Sequence, residues 1–218
     1  MLFRFISGLL VFSLCNTASL HAQKWYVNSM KSSIAMLDTA KTIKNLTRCA
    51  QIFERVTTAS PRDWLPVYYN SLTLLKIAHL DLKKNKTTAL KNLAKAEKLA
   101  YQSDSLKQSN SENKLLLAYV FLLKFYSESG DKIPGNKKLY EKFIGEAVAL
   151  NANNPRCYLL KGEYILNDTL KIPANKKMSL KEFQSSSEKY KIFTPEKELY
   201  PNWGKKYVAE QIEFLSKK

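Results

Sequence analysis

Lys132-Ile133-Pro134-Gly135-Asn136-Lys137-Lys138 returns 39 residues later as Lys171-Ile172-Pro173-Ala174-Asn175-Lys176-Lys177, with six of the seven positions identical. Each copy follows one stretch with helical apolar spacing and precedes another. A second echo stands at the other end of the unit. Ser60-Pro61-Arg62 precedes Tyr68 and Tyr69, and Asn154-Pro155-Arg156 precedes Tyr158 and Tyr164. Recurrence at a spacing of this size is the mark of a repeat array, because a helix pair with one apolar side gains stability by stacking on its neighbours.

Working outward from these copies, helical periodicity covers the chain. Val27, Met30, Ile34 and Leu37 fall on one face, as do Ile43, Leu46, Ala50 and Phe53. Stripes follow over 64–82 (Leu65, Tyr68, Leu72, Leu75, His79, Leu82) and 87–101 (Ala89, Leu93, Ala96, Ala100). A third pair opens near Ser111, with Glu112 in its first turn, stops at Gly130-Asp131 and resumes from about Asn136 to Asn151. The fourth runs from Arg156 to Leu166 and from about Met178 to Phe193. A closing helix over about 202–216 buries Val208, Ile212 and Leu215. With 6 glycines in 218 residues and no sustained alternation, strands have no support. The reading is all-α: antiparallel helix pairs over about 25–60, 62–105, 111–152 and 155–194, stacked as a solenoid.

The pattern resembles the tetratricopeptide repeat. Tyr158-Leu159-Leu160-Lys161-Gly162 is similar to its aromatic-to-glycine segment, Ala89 and Ala96 to its small residues, and Pro61 and Pro155 to its closing proline. Pair starts near 27, 64, 112 and 156 are longer apart than the regular repeat's roughly 34 residues, so the array is TPR-like. The segment Phe193-Thr194-Pro195 through Tyr200-Pro201-Asn202-Trp203-Gly204-Lys205 resembles the end of certain small exported bacterial helical proteins whose function the resemblance does not supply. For this fold it implies a binding surface, with first helices lining a groove. The tyrosines expected there are Tyr68, Tyr69, Tyr119, Tyr126, Tyr158 and Tyr164, as peptide-contacting rings or as core.

Residues 1–22 read as a signal peptide: Arg4, an apolar run from Phe5 to Leu14, and a cut after Ala22. The run is too short to span a bilayer, which needs about 20 apolar residues. Cys15 as a lipid-bearing cysteine is the lesser alternative, because Leu14 is not the small residue expected before it. The mature part, 23–218, is expected as one exported domain, periplasmic or secreted, with no transmembrane segment. Cys49 and Cys157 suit buried positions in helices, with a disulfide as the alternative.

The chain carries 35 Lys+Arg against 19 Asp+Glu, a formal charge of +16. Since only Arg4 leaves with residues 1–22, the mature form keeps +15. In a stack the turns inside successive pairs emerge along one edge, which places Lys83, Lys84, Lys86, Lys132, Lys137, Lys138, Lys171, Lys176 and Lys177 together. That edge reads as a dock for an anionic lipid phosphate or acidic glycan, or as a solubilising device. Nucleic acid is the least expected anion for an exported protein.

The inventory argues against an enzyme. After processing only His79 remains, so no histidine pair serves a metal or a proton relay, and no phosphate loop, G-x-S-x-G or Cys-x-x-Cys is present. Glu196 with Glu198 and Glu210 with Glu213 stand among lysines as surface pairs. Asn45, Asn85 and Asn167 match the glycosylation pattern, relevant only in a eukaryotic host. No cofactor or metal is expected. The leading reading is a non-enzymatic exported scaffold for a protein or peptide partner, and the alternative is a receptor for anionic envelope material.

Overall fold

The computed structural model describes residues 2–127, 132–168 and 173–217, and their side chains except at 2–20, 132, 133, 167, 168, 173 and 174. Among the described residues there are nine helices and no strand: α1 (Leu2–Thr39), α2 (Ile43–Ala59), α3 (Trp64–Asp81), α4 (Lys86–Leu106), α5 (Ser111–Ser127), α6 (Lys132–Leu150), α7 (Pro155–Asp168), α8 (Pro173–Ile192) and α9 (Lys205–Ser216). Short polar residues start five of them, whereas α9 follows Gly204 with no side-chain cap. Thr42 Oγ1 accepts from the Asn45 amide at 3.3 Å, Asp63 Oδ1 from Leu65 at 3.0 Å and Asn85 Oδ1 from Thr88 at 3.1 Å. Asn110 does the same for α5, and Asn154 for α7, where Pro155 then occupies the first helical position with no amide to satisfy.

Consecutive helices pack as pairs, α1 on α2, α3 on α4, α5 on α6 and α7 on α8. The first helices also touch one another in the order α1, α3, α5, α7, while α2, α4 and α6 each reach the first helix of the next pair. This is the stacking expected of a helical repeat array, with α9 closing it on α8. One core runs through it, from Met30 and Phe53 through Leu72, Leu93 and Leu122 to Phe183 and Leu215.

Within pairs the helices approach closely through small residues. Ser71 Oγ donates to the Ala96 carbonyl at 2.7 Å, Ser111 Oγ to Ala147 at 2.9 Å, and Ser179 Oγ to Gly162 at 2.9 Å. At these three crossings the facing carbonyl takes the serine proton, which offsets the cost of an unpaired buried hydroxyl. Gly162 fits the same scheme: a methyl group there would meet the Phe183 ring at 3.0 Å.

Three boundaries differ from the sequence reading. The described residues of the seven-residue copies are helical and not turns: α6 already starts at Lys132 and α8 at Pro173. Proline is tolerated in a first helical turn because the amide it lacks would be unbonded there. Lys137, Lys138, Lys176 and Lys177 therefore stand on the opening turns of helices. The expected stop at Gly130-Asp131 and the turn at Lys171 lie outside the described residues. The closing helix begins at Lys205 rather than about 202. The expected cut after Ala22 falls inside the continuous α1 of the unprocessed chain. Cys49 and Cys157 are buried free thiols, not a disulfide.

Candidate functional site: a strap-covered face and a basic cleft

The face formed by the first helices carries most of the predicted tyrosines, and the chain itself covers part of it. Residues 193–204 leave α8 without helical structure and form a strap against α3. Tyr69 donates its hydroxyl to the Leu199 carbonyl at 3.0 Å, and Trp203 Nε1 donates to the Tyr68 hydroxyl at 2.8 Å. Tyr200 lies edge-on to Trp64, with ring centroids 5.3 Å apart. The Lys107 ammonium bonds its hydroxyl at 3.0 Å and stands 5.0 Å from the Trp64 ring. Tyr190 reaches the strap by donating to the Trp203 carbonyl.

Under the strap sits a buried ion pair. Arg156, at the start of α7, is fully buried and donates from Nε and Nη2 to the Glu112 carboxylate at the start of α5. Glu112 also accepts from Asn154 Nδ2 at 2.7 Å and from the Tyr68 hydroxyl at 3.1 Å. The guanidinium lies 4.5 Å from the Phe193 ring and 6.0 Å from that of Trp203. Burial works against the arginine cation, but the charge and hydrogen bonds of Glu112 outweigh it and hold the pKa above the ordinary value. Burial, then the nearby Glu112, pushes the Tyr68 phenol up, so it stays a neutral donor and acceptor.

The other predicted tyrosines serve different neighbours. Tyr119 is nearly buried and its hydroxyl meets His79 Nδ1 at 3.0 Å. Tyr126, half-buried, donates to the Glu163 carbonyl at 3.0 Å. Tyr164 stacks on Tyr140 with centroids 4.8 Å apart. Tyr158 is half-buried, bonds the Ala152 carbonyl at 3.0 Å, and has Lys161 and Lys189 about its ring. The six do not form one open aromatic groove.

The lysines expected along one edge are in solvent where they are described. Lys83, Lys84, Lys86, Lys137, Lys138, Lys176 and Lys177 are all exposed, and Lys176 bonds the Lys217 carbonyl at 3.0 Å near the end of α9. The side chain of Lys132 and all of Lys171 lie outside the described residues. Between the end of α3, the start of α4 and the end of α5 lies a cleft of about 190 Å³, lined by His79, Leu82, Lys83, Lys86, Tyr126 and Ser127. Burial and then the Lys83 charge push the His79 pKa down, which keeps its ring neutral near pH 7. When its Nδ1 accepts the Tyr119 proton, Nε2 carries a hydrogen it can donate; in the other tautomer Nε2 accepts. Among the described residues no cluster of three His, Cys, Asp or Glu side chains forms a metal centre. Nor is any helix there long and apolar enough to cross a membrane.

The sequence places His79 on the apolar stripe over 64–82, and that reading does not join it with Lys83 and Lys86 in one cleft. The signal available was spacing: His79 and Lys83 stand four residues apart where α3 ends, so one helical turn separates them. The ion pair was less legible, because Glu112 and Arg156 are 44 residues apart.

No protein-family model matches the chain, and no curated protein sequence matches it. Among solved structures it is similar to the HusA haemophore from Porphyromonas gingivalis, with 19% sequence identity and a TM-score of 0.72 over 88% of this chain and 92% of that one. At that identity the likeness concerns the fold, which is thus shared with an all-helical protein over nearly the whole length of both chains.

Proposed function

We propose that this is an exported, non-enzymatic binding protein for a planar, carboxylated small molecule of the tetrapyrrole class, taken at the lysine-rich edge. The observation that carries the reading is the basic cleft beside His79, which joins apolar wall, neutral imidazole and cations that form no ion pair among the described residues. The ligand class is suggested by the fold's likeness to a haemophore. Export rests on the signal-peptide pattern of residues 1–22.

This keeps the lysine-rich edge of the alternative reading but puts a tetrapyrrole in the place of its anionic envelope material. A peptide lying over Tyr68 and Tyr69 has to displace Leu199 and Trp203, which already bond those hydroxyls. An anion at the edge displaces nothing described. Longer envelope polyanions, such as acidic glycan or lipid phosphate, are the second reading, favoured by the further exposed lysines Lys138 and Lys177 near the starts of α6 and α8.

The test is a titration of the processed protein, residues 23–218, with protoporphyrin IX, haemin, anionic phospholipid vesicles and an acidic polysaccharide, at low and moderate salt. Saturable porphyrin binding in the micromolar range or tighter, with weaker vesicle and polysaccharide binding, supports the proposal. Binding of the polyanions alone, vanishing near 0.15 M salt where screening reaches about 8 Å, replaces it with the second reading.

A further inference from the structure

The α3–α4 corner is electrostatically one-sided. Helix α4 runs over 21 residues, and its first turn has no acidic side chain to meet the partial positive charge of its N-terminus. Lys83, Lys84 and Lys86 crowd that end instead, all exposed, and none forms an ion pair among the described residues. Cations at a helix N-terminus oppose its dipole, so this corner does not serve the helix. It suits an anion that brings its own charge.

Apolar surface stands beside those cations. Leu82 and Tyr126 are half-buried in the cleft wall, and Leu90, one turn along α4 from Lys86, is 38% exposed. The Tyr126 hydroxyl is held by the Glu163 carbonyl and the His79 ring by Tyr119, so two rings of the wall are fixed before any ligand arrives. A cavity of about 190 Å³ is smaller than the roughly 300–1,000 Å³ of sites that enclose a drug-sized ligand. A space of this size suits one edge of a larger flat molecule rather than the whole of it.

We infer that this cleft binds the carboxylated edge of a planar aromatic ligand, with Lys83 and Lys86 pairing with its carboxylates and Leu82, Tyr126 and His79 lining the inserted ring edge. The inference rests on the proposed ligand class and adds to it a place and a division of labour. Charge is supplied by two lysines only, and the remaining edge lysines contribute a general field.

The experiment titrates the processed protein with protoporphyrin IX and with its dimethyl ester, in which both carboxylates are blocked, following the porphyrin absorbance band. The wild type is compared with Lys83→Ser/Lys86→Ser and with Lys176→Ser/Lys177→Ser. All four lysines are exposed, and unchanged circular dichroism and Tm establish that each variant is folded. The expected result is a loss of tenfold or more for the free acid in the Lys83/Lys86 variant, no more than threefold in the Lys176/Lys177 variant, and equal, weak ester binding by all three proteins. Equal binding of the free acid by wild type and the Lys83/Lys86 variant overturns the inference while the tetrapyrrole reading stands. So does ester binding as tight as that of the acid. Absence of porphyrin binding by the wild type overturns that reading and the inference with it.

Discussion

Replacing Arg156 by Met removes the cation from the ion pair beneath the strap. The Glu112 side chain, only 13% exposed in the intact pair, is then left with Asn154 and Tyr68 as its remaining side-chain donors. Breaking a buried pair from one side costs about 3–5 kcal/mol, far more than the ~0–1 kcal/mol of an exposed pair. The guanidinium also lies over the rings of Phe193 and Trp203, an attraction of about 0.5–2 kcal/mol where desolvated. The expected loss is therefore about 4 kcal/mol, read from urea unfolding followed by circular dichroism at neutral pH. The double variant Arg156→Met/Glu112→Leu removes both charges and recovers a good part of that loss, because the orphaned carboxylate is its main source. As a control, Lys191→Ala, which breaks an exposed pair with Glu188, changes stability by less than about 1 kcal/mol. A cost below about 1 kcal/mol for Arg156→Met, or no recovery in the double variant, refutes the reasoning.

Other expectations follow from single positions. Gly162→Ala places a methyl against the Phe183 ring and should cost about 1–3 kcal/mol in the same assay, the usual range for overpacking. Gly204→Ala should cost more, since φ is +103° there and the new carbon meets the Tyr190 hydroxyl at 2.5 Å and Leu159 at 2.8 Å. A Tm within a degree of wild type contradicts either expectation. Burial, and then the charge of Glu112, raises the Cys157 thiol to about 12, so the processed protein, residues 23–218, should not react with a thiol reagent at pH 8 until denatured, when its two cysteines, Cys49 and Cys157, both react. The His79 pKa is depressed in the folded state by burial and by Lys83, so its neutral form is favoured there and the unfolded chain takes up the proton first as pH falls. Its contribution is present above about pH 6.5 and is lost as acidity rises through and below that value; His79→Gln should flatten the Tm profile between pH 7 and 5.

Where apolar spacing was strong, the sequence was easily read. Leu46, Phe53, Leu72, Leu93, Leu122 and Phe143 all fall in the core, and every pair has its two helices. The seven-residue copies misled on boundaries, because Pro134 and Pro173 look like breakers while a first turn accepts proline without loss. Tyr68 and Tyr69 were legible as first-helix residues but not as strap contacts, since their partners Leu199 and Trp203 lie at least 130 residues away and no local pattern connects them. The serines at the crossings were silent for a related reason. A hydroxyl looks polar in sequence, and only the facing carbonyl makes Ser71 or Ser179 a buried residue. Exposure of the edge lysines was readable from charge, whereas the cleft needed His79, Lys86 and Tyr126 to be brought together from three helices or their ends.

The central claim places the ligand at the basic edge and not on the tyrosine face. Amide hydrogen exchange of the processed protein, with and without saturating protoporphyrin IX, tests it most directly. Protection gained at residues 79–86 and 126–127, with the strap over 193–204 unchanged, is the result the account predicts. Protection or loosening concentrated on 193–204 and around Tyr68, with the α3–α4 corner unaffected, contradicts it.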